Sequence, residues 1–309
     1  MNEYPVDMKK YISPPLLNKN DKAVIISPSG SIESSFIDGA KLVLESWGLN
    51  VIVSQYAREK NGRFCGTVEQ RVEDLQGAMD DPDVKLIFCS RGGYGIVHLL
   101  DRLDFTEIKK YPKWLVGYSD ITALHLAFMK NGILSAHAPM ARHLDEDAED
   151  TASLYLRRLL FEGIHEYSIS SHPLNRIGIA DGRLWGGNLA VLGGLIGTPF
   201  ADVPDNSILF VEDIGEGAYK IDRMMWQLKL AGVLDRLSGL VVGQFADCEE
   251  DFLMYAPIYE SIMNLVSGYN YPVVFDFPVG HVKENFPLVY SGKIRLEVNT
   301  HKVLLKTQN

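Results

Sequence analysis

The chain has 309 residues, of which 46% are hydrophobic and 23% charged, and its net charge is −10. This composition is typical of a globular protein with an ample core, and it excludes a largely disordered chain. The negative charge argues against nucleic acid or an anionic membrane as the main partner, because both attract basic surfaces.

Short apolar strands alternate with amphipathic helices in the first half of the chain. The pattern predicts strands at 22–28, 50–54, 84–89 and 113–117, and helices at 35–48, 67–79 and 120–130. This alternation is typical of βαβ units, which build a mostly parallel sheet flanked by helices. The loops that follow the strands then meet at one edge of the sheet, where such proteins usually bind ligands. The loops after Cys89 and Gly117 belong to this edge.

The periodicity fades after about residue 162, which predicts a linker at 164–181. The linker would separate an N-terminal domain, 1–163, from a C-terminal domain, 182–309. In the second half, the pattern predicts an apolar helix after the glycine-rich run 182–188, strands at 207–211 and 239–242, a helix at 219–231 and a hairpin at 293–305. We therefore predict an α/β fold.

Cysteine usage and the absence of long apolar runs bear on the compartment. Cys65, Cys89 and Cys248 cannot pair completely and show no CxxC spacing, which favours a reducing environment. The opening residues lack the apolar stretch of a signal peptide, and no later stretch approaches the roughly 18 apolar residues of a membrane span. We therefore expect a cytoplasmic protein. Neither HExxH nor a zinc-ligand spacing is present, so we predict no metal and no cofactor.

The segment KWLVGYSDITAL places a serine two residues after a predicted strand and directly before a helix. A tight turn at this point would lift the Ser119 hydroxyl out of the sheet edge, as in a nucleophile elbow. The N–H groups at the start of the helix would favour a nearby anion. Ser119 could instead be an N-cap residue, and the usual GxSxG pattern is absent because Ile121 takes the last position.

The segment SRGGYG, residues 90–95, directly follows the third predicted strand. Adjacent glycines allow backbone conformations that other residues avoid, and they let N–H groups approach a ligand closely. Such N–H groups could form an oxyanion hole. An ordinary turn is the alternative, whereas a phosphate loop is disfavoured because GxGxxG and GxxxxGK[ST] are both absent.

A catalytic serine needs a base, and the chain has eight histidines. His281 comes just after the apolar segment 273–279 and follows Gly280, so it lies in a loop at a strand end, where catalytic groups tend to occur. The other histidines lie in predicted helices, in the linker, in the final hairpin or after a short strand (His98, His125, His165, His172, His301, His137 and His143).

The base in turn needs an acidic group that holds its tautomer. Glu212 follows the apolar strand 207–211, and Asp213 comes next, so the local sequence does not choose between the two. Alternation along a strand would place one of them on each face. A solvated strand end is the alternative explanation for both.

Five segments together resemble the serine LD-carboxypeptidases, a family that also includes the microcin C immunity peptidases. They are SRGGYG, KWLVGYSDITAL, GRLWGGNL, LFVEDIGEGAYKIDRMMWQLKLAG and PVGH. The resemblance extends in the family's order from about Ile26 to His281. It implies an N-terminal α/β domain that carries the nucleophile and a more β-rich C-terminal α/β domain that carries the acid and the histidine. It also implies a homodimer, which the sequence itself does not show.

The resemblance implies roles for specific residues. Ser119 would be the nucleophile, His281 the general base, and Glu212 rather than Asp213 the acid. The backbone N–H groups of Gly93 and Asp120 would form the oxyanion hole. The implied substrate is a muropeptide tetrapeptide, cut between the L-centre of its diamino acid and the terminal D-alanine during cell-wall recycling. In the cytoplasm, this substrate would be imported fragments.

A carboxypeptidase must recognise a free carboxylate, and arginine binds carboxylates in bidentate fashion. We expect this role for Arg91, with Arg223 in reserve, although both could form structural salt bridges. The alternative within the family is cleavage of acyl-sulfamoyl adenylates, but those relatives tend to have an asparagine-rich continuation where this chain has RGGYG. Trp185 could stack on a base or pack in the core. A different class of hypothesis is a non-catalytic α/β binding protein whose glycine loop holds a ligand.

Overall fold

The computed structural model describes residues 11–163 and 166–308. Its strands are β1 (Lys22–Ile26), β2 (Asn50–Val53), β3 (Val84–Cys89), β4 (Trp114–Gly117), β5 (Ser135–His137), β6 (Tyr167–Ser170), β7 (Gly178–Asn188), β8 (Ser207–Ile214), β9 (Leu237–Ala246), β10 (Val273–Val274), β11 (Leu288–Tyr290), β12 (Lys293–Val298) and β13 (Lys302–Thr307). They form two sheets.

The α-helices are α1 (Ser34–Ser46), α2 (Val68–Asp80), α3 (Thr106–Lys110), α4 (Thr122–Lys130), α5 (Ala141–Glu146), α6 (Thr151–Glu162), α7 (Leu189–Leu195), α8 (Ala218–Leu230) and α9 (Ile258–Leu265). Local signals fix several of their ends. At the start of α2, Gln70 N donates to the Thr67 side chain and Thr67 N donates to the Gln70 side chain, so both groups satisfy N–H groups that the helix leaves free. None of the helices in the described ranges is long and apolar enough to cross a membrane.

The first sheet has the strand order β11-β5-β4-β3-β1-β2. Neighbours from β5 to β2 are parallel, and β11 alone runs antiparallel to its neighbour β5. The strand order reverses between β3 and β1. The chain first adds β2 on one side of β1 and then places β3, β4 and β5 in turn on the other side. Parallel sheets bind ligands at such a switch point, beyond the carboxyl ends of the strands. The loops after β1, β3 and β4 therefore surround the expected position of a site.

The second sheet has the order β10-β9-β8-β7-β12-β13-β6. The strands from β7 to β10 are parallel, whereas β12, β13 and β6 pair antiparallel. Glu212 lies near the carboxyl end of β8, and His281 lies in the loop after β10. Both side chains are thus at the same edge of this sheet, since the two strands run in the same direction.

The two sheets share one hydrophobic core. A continuous cluster of buried side chains includes Ile26 and Leu124 from the first half and Val211 and Val279 from the second. Strand β11 comes from the second half but completes the first sheet by pairing with β5. These contacts fix the two halves against each other, and they hold the loops that follow β4, β8 and β10 in one region.

The α/β fold with a mostly parallel first sheet is confirmed, and the strand predicted at 84–89 matches β3 residue for residue. The predicted hairpin near the end is β12 with β13. The glycine-rich run at 182–188 is part of β7, which the sequence pattern did not identify as a strand. Within the predicted linker, 164–181, the chain forms β6 and the start of β7, both in the second sheet. The division into two domains with this linker stays a prediction.

Candidate active site

Ser119 lies in a sharp turn between a buried strand and a helix. Strand β4 is buried throughout, Ser119 has a φ of 67°, and a 3₁₀ turn at Ser119–Ile121 leads into α4. A non-glycine residue with a positive φ is uncommon and costs free energy, so the surrounding structure must hold it there. This is the geometry of a nucleophile elbow, in which the turn exposes the serine hydroxyl at the sheet edge.

A buried histidine helps to hold the strand end that precedes this turn. His125 donates from Nε2 to the Gly117 carbonyl over 2.8 Å, and its Nδ1 accepts from the Ser135 hydroxyl over 2.8 Å. Burial lowers the pKa of His125 to about 4, so the ring is neutral near pH 7. His125 is therefore a positioning residue for the elbow rather than a candidate base.

The glycine loop after β3 touches Ser119 so closely that a side chain would not fit. A Cβ atom on Gly92 would lie 2.7 Å from Ser119 Cβ and 2.9 Å from Ser119 Oγ. Gly93 has a φ of 118°, which strongly favours glycine. Its N–H has no hydrogen-bond acceptor among the residues described. This N–H is available to a ligand, and its role in an oxyanion hole stays a prediction.

Asp120 fixes the second N–H group predicted for the oxyanion hole. Its buried carboxylate accepts from the Ser29 hydroxyl over 2.5 Å and from the Ile96 N–H over 3.0 Å. Burial raises the pKa of this carboxyl. The Asp120 backbone N–H belongs to the first turn of a helix, where N–H groups lack an intrahelical acceptor. The Asp120 carboxylate thus joins the loops that follow β1, β3 and β4, next to the Asp120 backbone N–H.

Glu212 and His281 form a hydrogen-bonded pair. Glu212 is fully buried, and its Oε2 lies 2.8 Å from His281 Nδ1. This contact leaves His281 Nε2 free to face a substrate or the serine. Gly280 has a φ of 127°, and a Cβ atom there would lie 3.0 Å from Glu212 Oε2. Its N–H donates to the Asn285 side chain over 3.0 Å, which fixes the loop that carries the histidine.

Asp213 faces the other way and has a structural role. Its carboxylate accepts from Asn188 Nδ2 over 2.8 Å and from the N–H groups of Ala190 and Ile214 over 2.9 and 2.8 Å. Burial raises its pKa to about 6, and the charge of Glu212 adds to the shift. The geometry therefore separates the two acids that the local sequence left open, because only Glu212 touches the histidine.

Ser119 and His281 line the same cavity, which has a volume of about 860 Å³. The side chain of His281 is 14% exposed, and its ring packs against the ring of Tyr118 at a centroid distance of 4.9 Å. Burial raises the pKa of Tyr118 to about 12, so its hydroxyl stays neutral. No hydrogen bond joins Ser119 Oγ to His281, both of which the structure describes. Such bonds are often long without substrate and shorten when it binds.

The predicted substrate-binding residues have different outcomes. Arg91 lines the cavity, and its Nη1 donates to the Ser31 carbonyl over 2.5 Å. Trp185 does not reach the cavity, because it is fully buried and donates from Nε1 to the Ser207 hydroxyl over 2.8 Å. The packing alternative for this tryptophan is the one observed. Arg223 is exposed on α8, lies over the Tyr219 ring and is not among the residues that line the cavity.

Sequence reasoning missed several residues that shape the site. Tyr118 and Arg142 line the cavity. Ser29 and Arg71 hold the loops from behind, and Arg71 donates to the carbonyls of Pro28 and Gly95 over 3.1 Å each. The position of Ser29 just after β1 was an available signal, since that loop lies at the switch point of the sheet. Of the eight histidines, His165 lies outside the described residues.

Two sequence patterns match most of the chain. The LD-carboxypeptidase N-terminal domain matches residues 24–138, and the LD-carboxypeptidase C-terminal domain matches residues 181–296. The chain belongs to the LD-carboxypeptidase family. It is therefore an enzyme of the serine-peptidase class, and the hypothesis of a non-catalytic binding protein is not supported.

Individual relatives agree with this assignment. A Synechocystis relative is 35% identical over 291 residues, which cover 94% of this chain and 95% of the relative. The murein tetrapeptide carboxypeptidase of Pseudomonas aeruginosa is 31% identical over 289 residues, with coverage of 90% and 94%. The crystal structure of muramoyltetrapeptide carboxypeptidase from Oxalobacter formigenes has a TM-score of 0.86 and 30% identity, and it covers 93% of this chain and 99% of its own.

A more distant structure shares the fold. The microcin C7 self-immunity protein in complex with aspartyl sulfamoyl adenosine has a TM-score of 0.82 and 21% identity, with coverage of 95% of this chain and 98% of its own. At this identity, the likeness concerns the fold alone.

Proposed function

We propose that this LD-carboxypeptidase removes the terminal D-alanine from muropeptide tetrapeptides, with Ser119 as nucleophile, His281 as general base and Glu212 as the acid that orients it. The observation that carries the proposal is the 2.8 Å contact between Glu212 and His281 at the wall of the cavity that Ser119 also lines. The relatives named for murein and muramoyl tetrapeptides support the substrate.

The proposed mechanism is acyl transfer in two steps. His281 Nε2 takes the proton of the Ser119 hydroxyl while the oxygen attacks the carbonyl carbon of the diamino acid. The N–H groups of Gly93 and Asp120 stabilise the oxyanion, and Glu212 stabilises the imidazolium. The C–N bond then breaks, and His281 gives the proton to the departing D-alanine nitrogen. Water, deprotonated by His281, releases the tripeptide and restores Ser119.

Mass spectrometry of a muropeptide tetrapeptide after incubation with the enzyme tests this function. We expect the loss of one alanine residue and no other product. Inertness toward the tetrapeptide, together with cleavage of an aminoacyl sulfamoyl adenylate, would overturn the proposal in favour of the microcin-immunity reaction. The burial of Trp185 argues against that reaction, because the ring is not available to stack on a base.

We further propose that the protein is a homodimer, with a contact surface formed by α8 and the loop 247–255. On this surface Leu230 is 81%, Phe252 98% and Leu253 96% exposed, which is unusual for large apolar side chains of a monomer. Tyr255 donates to Asp222 over 3.3 Å and joins the loop to α8. Light scattering should give twice the chain mass, and the double variant Phe252→Glu, Leu253→Glu should give the single chain mass. A monomeric wild-type protein would contradict the proposal.

We also propose a cytoplasmic location, where the enzyme would meet imported wall fragments. The free thiols of Cys65, Cys89 and Cys248 support a reducing compartment. Fractionation of cells that produce the protein should recover it with cytoplasmic markers, and recovery with the secreted or envelope fraction would contradict this location.

A further inference from the structure

The cavity is lined by more basic than acidic side chains, although the chain as a whole is acidic. Its lining contains two glutamates, Glu33 and Glu59, and four basic residues, Arg58, Lys60, Arg91 and Arg142. Clefts of one charge sign attract ligands of the opposite sign. The cavity is thus suited to a substrate that carries carboxylates, and the question is which cation binds the carboxylate at the cleaved end.

The three arginines differ in how far their guanidinium groups are already occupied. Arg58 donates from Nη2 to Asp38 over 2.5 Å and from Nη1 to the Ser34 carbonyl over 3.1 Å. Arg142 donates only from Nε, to Glu146 over 2.7 Å. Within residues 11–163 and 166–308, neither Nη group of Arg142 has a hydrogen-bond acceptor. These two groups form one edge of the guanidinium, the geometry that a bidentate contact with a carboxylate requires.

The chemistry of the reaction places the carboxylate anchor beside the histidine. His281 gives its proton to the departing nitrogen, so the departing residue must lie on the histidine side of Ser119. In an α-amino acid, the carboxylate is attached to the same carbon as that nitrogen. The carboxylate therefore lies close to the departing nitrogen. Arg91 is the less suitable anchor, because its Nη1 already donates to the Ser31 carbonyl.

Arg142 lies in the first turn of α5, and its guanidinium packs over the Phe36 ring. The neighbouring Ala141 N–H donates to the Ser90 carbonyl over 3.2 Å, so this end of α5 also contacts the glycine loop. Met140, the residue before α5, also lines the cavity. The far end of α5 is joined to the histidine loop, because Lys283 forms an ion pair with Asp147 at 2.7 Å. Tyr118, whose ring packs against His281, is also close enough for the charge of Arg142 to act on it and lower its pKa, although burial raises that pKa by more.

We propose that Arg142 binds the terminal carboxylate of the substrate and thereby restricts the enzyme to the last residue of a peptide. The inference rests on the proposed function, because it presupposes that His281 protonates the departing amino acid.

Two substrates separate carboxylate recognition from catalysis: a muropeptide tetrapeptide and the same peptide with a C-terminal amide. The wild-type enzyme should prefer the free acid by about 100-fold in kcat/KM, the range expected when one partner of a hydrogen-bonded charge pair is removed. In Arg142→Ala the preference for the acid over the amide should fall to about one, because neither terminus then meets a guanidinium. Arg142→Lys should restore part of the preference through charge alone.

Arg158→Ala is the matched control. Like Arg142, Arg158 is an exposed arginine paired with a glutamate four residues on, but it lies on α6 and does not line the cavity. It should keep the full preference. If Arg142→Ala keeps the preference, or if Arg91→Ala abolishes it, Arg142 is not the anchor. A wild-type enzyme that cleaves both peptides equally would also overturn the inference, whereas one that cleaves neither would overturn the proposed function itself.

Discussion

The elbow half of the site and the histidine half depend on different parts of the chain. Ser119 and Gly92 meet through backbone shape: one has a positive φ, and the other has no room for a Cβ atom. Glu212 and His281 meet through one hydrogen bond between side chains that are 69 positions apart. The first half should therefore be sensitive to a single added carbon atom. The second should be sensitive to the loss of one charged oxygen.

The largest effect should come from removing the nucleophile. Ser119→Ala should lower kcat on the order of 10⁵-fold, since loss of the serine in a serine peptidase removes nearly all of the covalent route. Mass spectrometry of the tetrapeptide reaction measures this loss, and thermal unfolding checks that the fold is kept. Ser119→Gly should be equally inactive but about 1 kcal/mol more stable than Ser119→Ala, because glycine relieves the positive φ. Equal stability of the two variants would show that the turn is not strained.

The second effect concerns the two adjacent acids. Glu212→Gln should lower kcat by about 10⁴-fold with little change in KM, because an amide no longer stabilises the imidazolium or fixes its tautomer. Asp213→Asn should keep kcat within about tenfold and lower the free energy of unfolding by ~1–3 kcal/mol, as one buried N–H loses its acceptor. Steady-state kinetics and urea unfolding measure the two quantities. The reverse pattern would assign the catalytic acid to Asp213.

The third effect tests the backbone half directly. Gly92→Ala should lower kcat by about 10²–10³-fold, the range for losing an oxyanion-hole donor, because the new methyl group displaces the loop from Ser119. Gly77→Ala on α2 is the control, since a Cβ atom there has no neighbour within 4 Å. It should leave kcat unchanged and stabilise the helix by roughly 0.5–1 kcal/mol. An active Gly92→Ala enzyme would mean that the loop is not the oxyanion hole.

The smallest effect is a pH dependence of stability. Burial lowers the pKa of His125 to about 4 and that of His137 well below its usual value. Between these values and the unfolded pKa near 6.5, the unfolded chain binds protons that the folded chain does not, so stability falls as the pH falls. Asp213, with its pKa raised to about 6, acts in the opposite direction below pH 6.

Burial also raises the pKa values of Asp120 and Asp74, which act in the same direction as Asp213. The two histidines should outweigh these carboxyls, so the free energy of unfolding should fall by roughly 1–2 kcal/mol between pH 7 and pH 5. Urea unfolding at the two pH values measures this difference. His137→Phe should reduce the fall by more than half, because His137 packs edge-on against Phe210 and a phenyl ring can take its place. An unchanged pH dependence in this variant would show that His137 does not remain neutral in the folded protein.

The sequence predicts the elbow half of the site better than the histidine half. A buried strand, a serine and a helix follow one another within KWLVGYSDITAL, so local patterns suffice to suggest the elbow. No local pattern pairs Glu212 with His281. Their contact depends on β8 and β10 lying on either side of β9 in the second sheet, with their carboxyl ends at the same edge. Family resemblance supplied that pairing. The resemblance also chose Glu212 over Asp213, and the side-chain directions in the folded chain give the physical reason, since only Glu212 contacts the histidine.

The strands of the fold also differ in how well the sequence predicts them. Strands with continuous apolar runs, such as β3 and β4, are evident in the sequence, whereas β11 is not. It has three residues, and it pairs with β5 across a large sequence separation. Likewise, Trp185 has a ring that could stack on a ligand, but it is fully buried in the hydrophobic core and therefore packs there. Long-range burial of this kind leaves no local signature.

The proposed reaction requires that His281 activates Ser119 Oγ for attack. Labelling with a serine-reactive fluorophosphonate, followed by peptide mapping, tests this most directly. We expect a single adduct on the peptide that contains Ser119. It should form at least 100-fold more slowly in His281→Ala, in line with general-base assistance of about 10²–10⁴-fold. An adduct on another residue, or labelling of Ser119 at the same rate without His281, would contradict the proposed reaction.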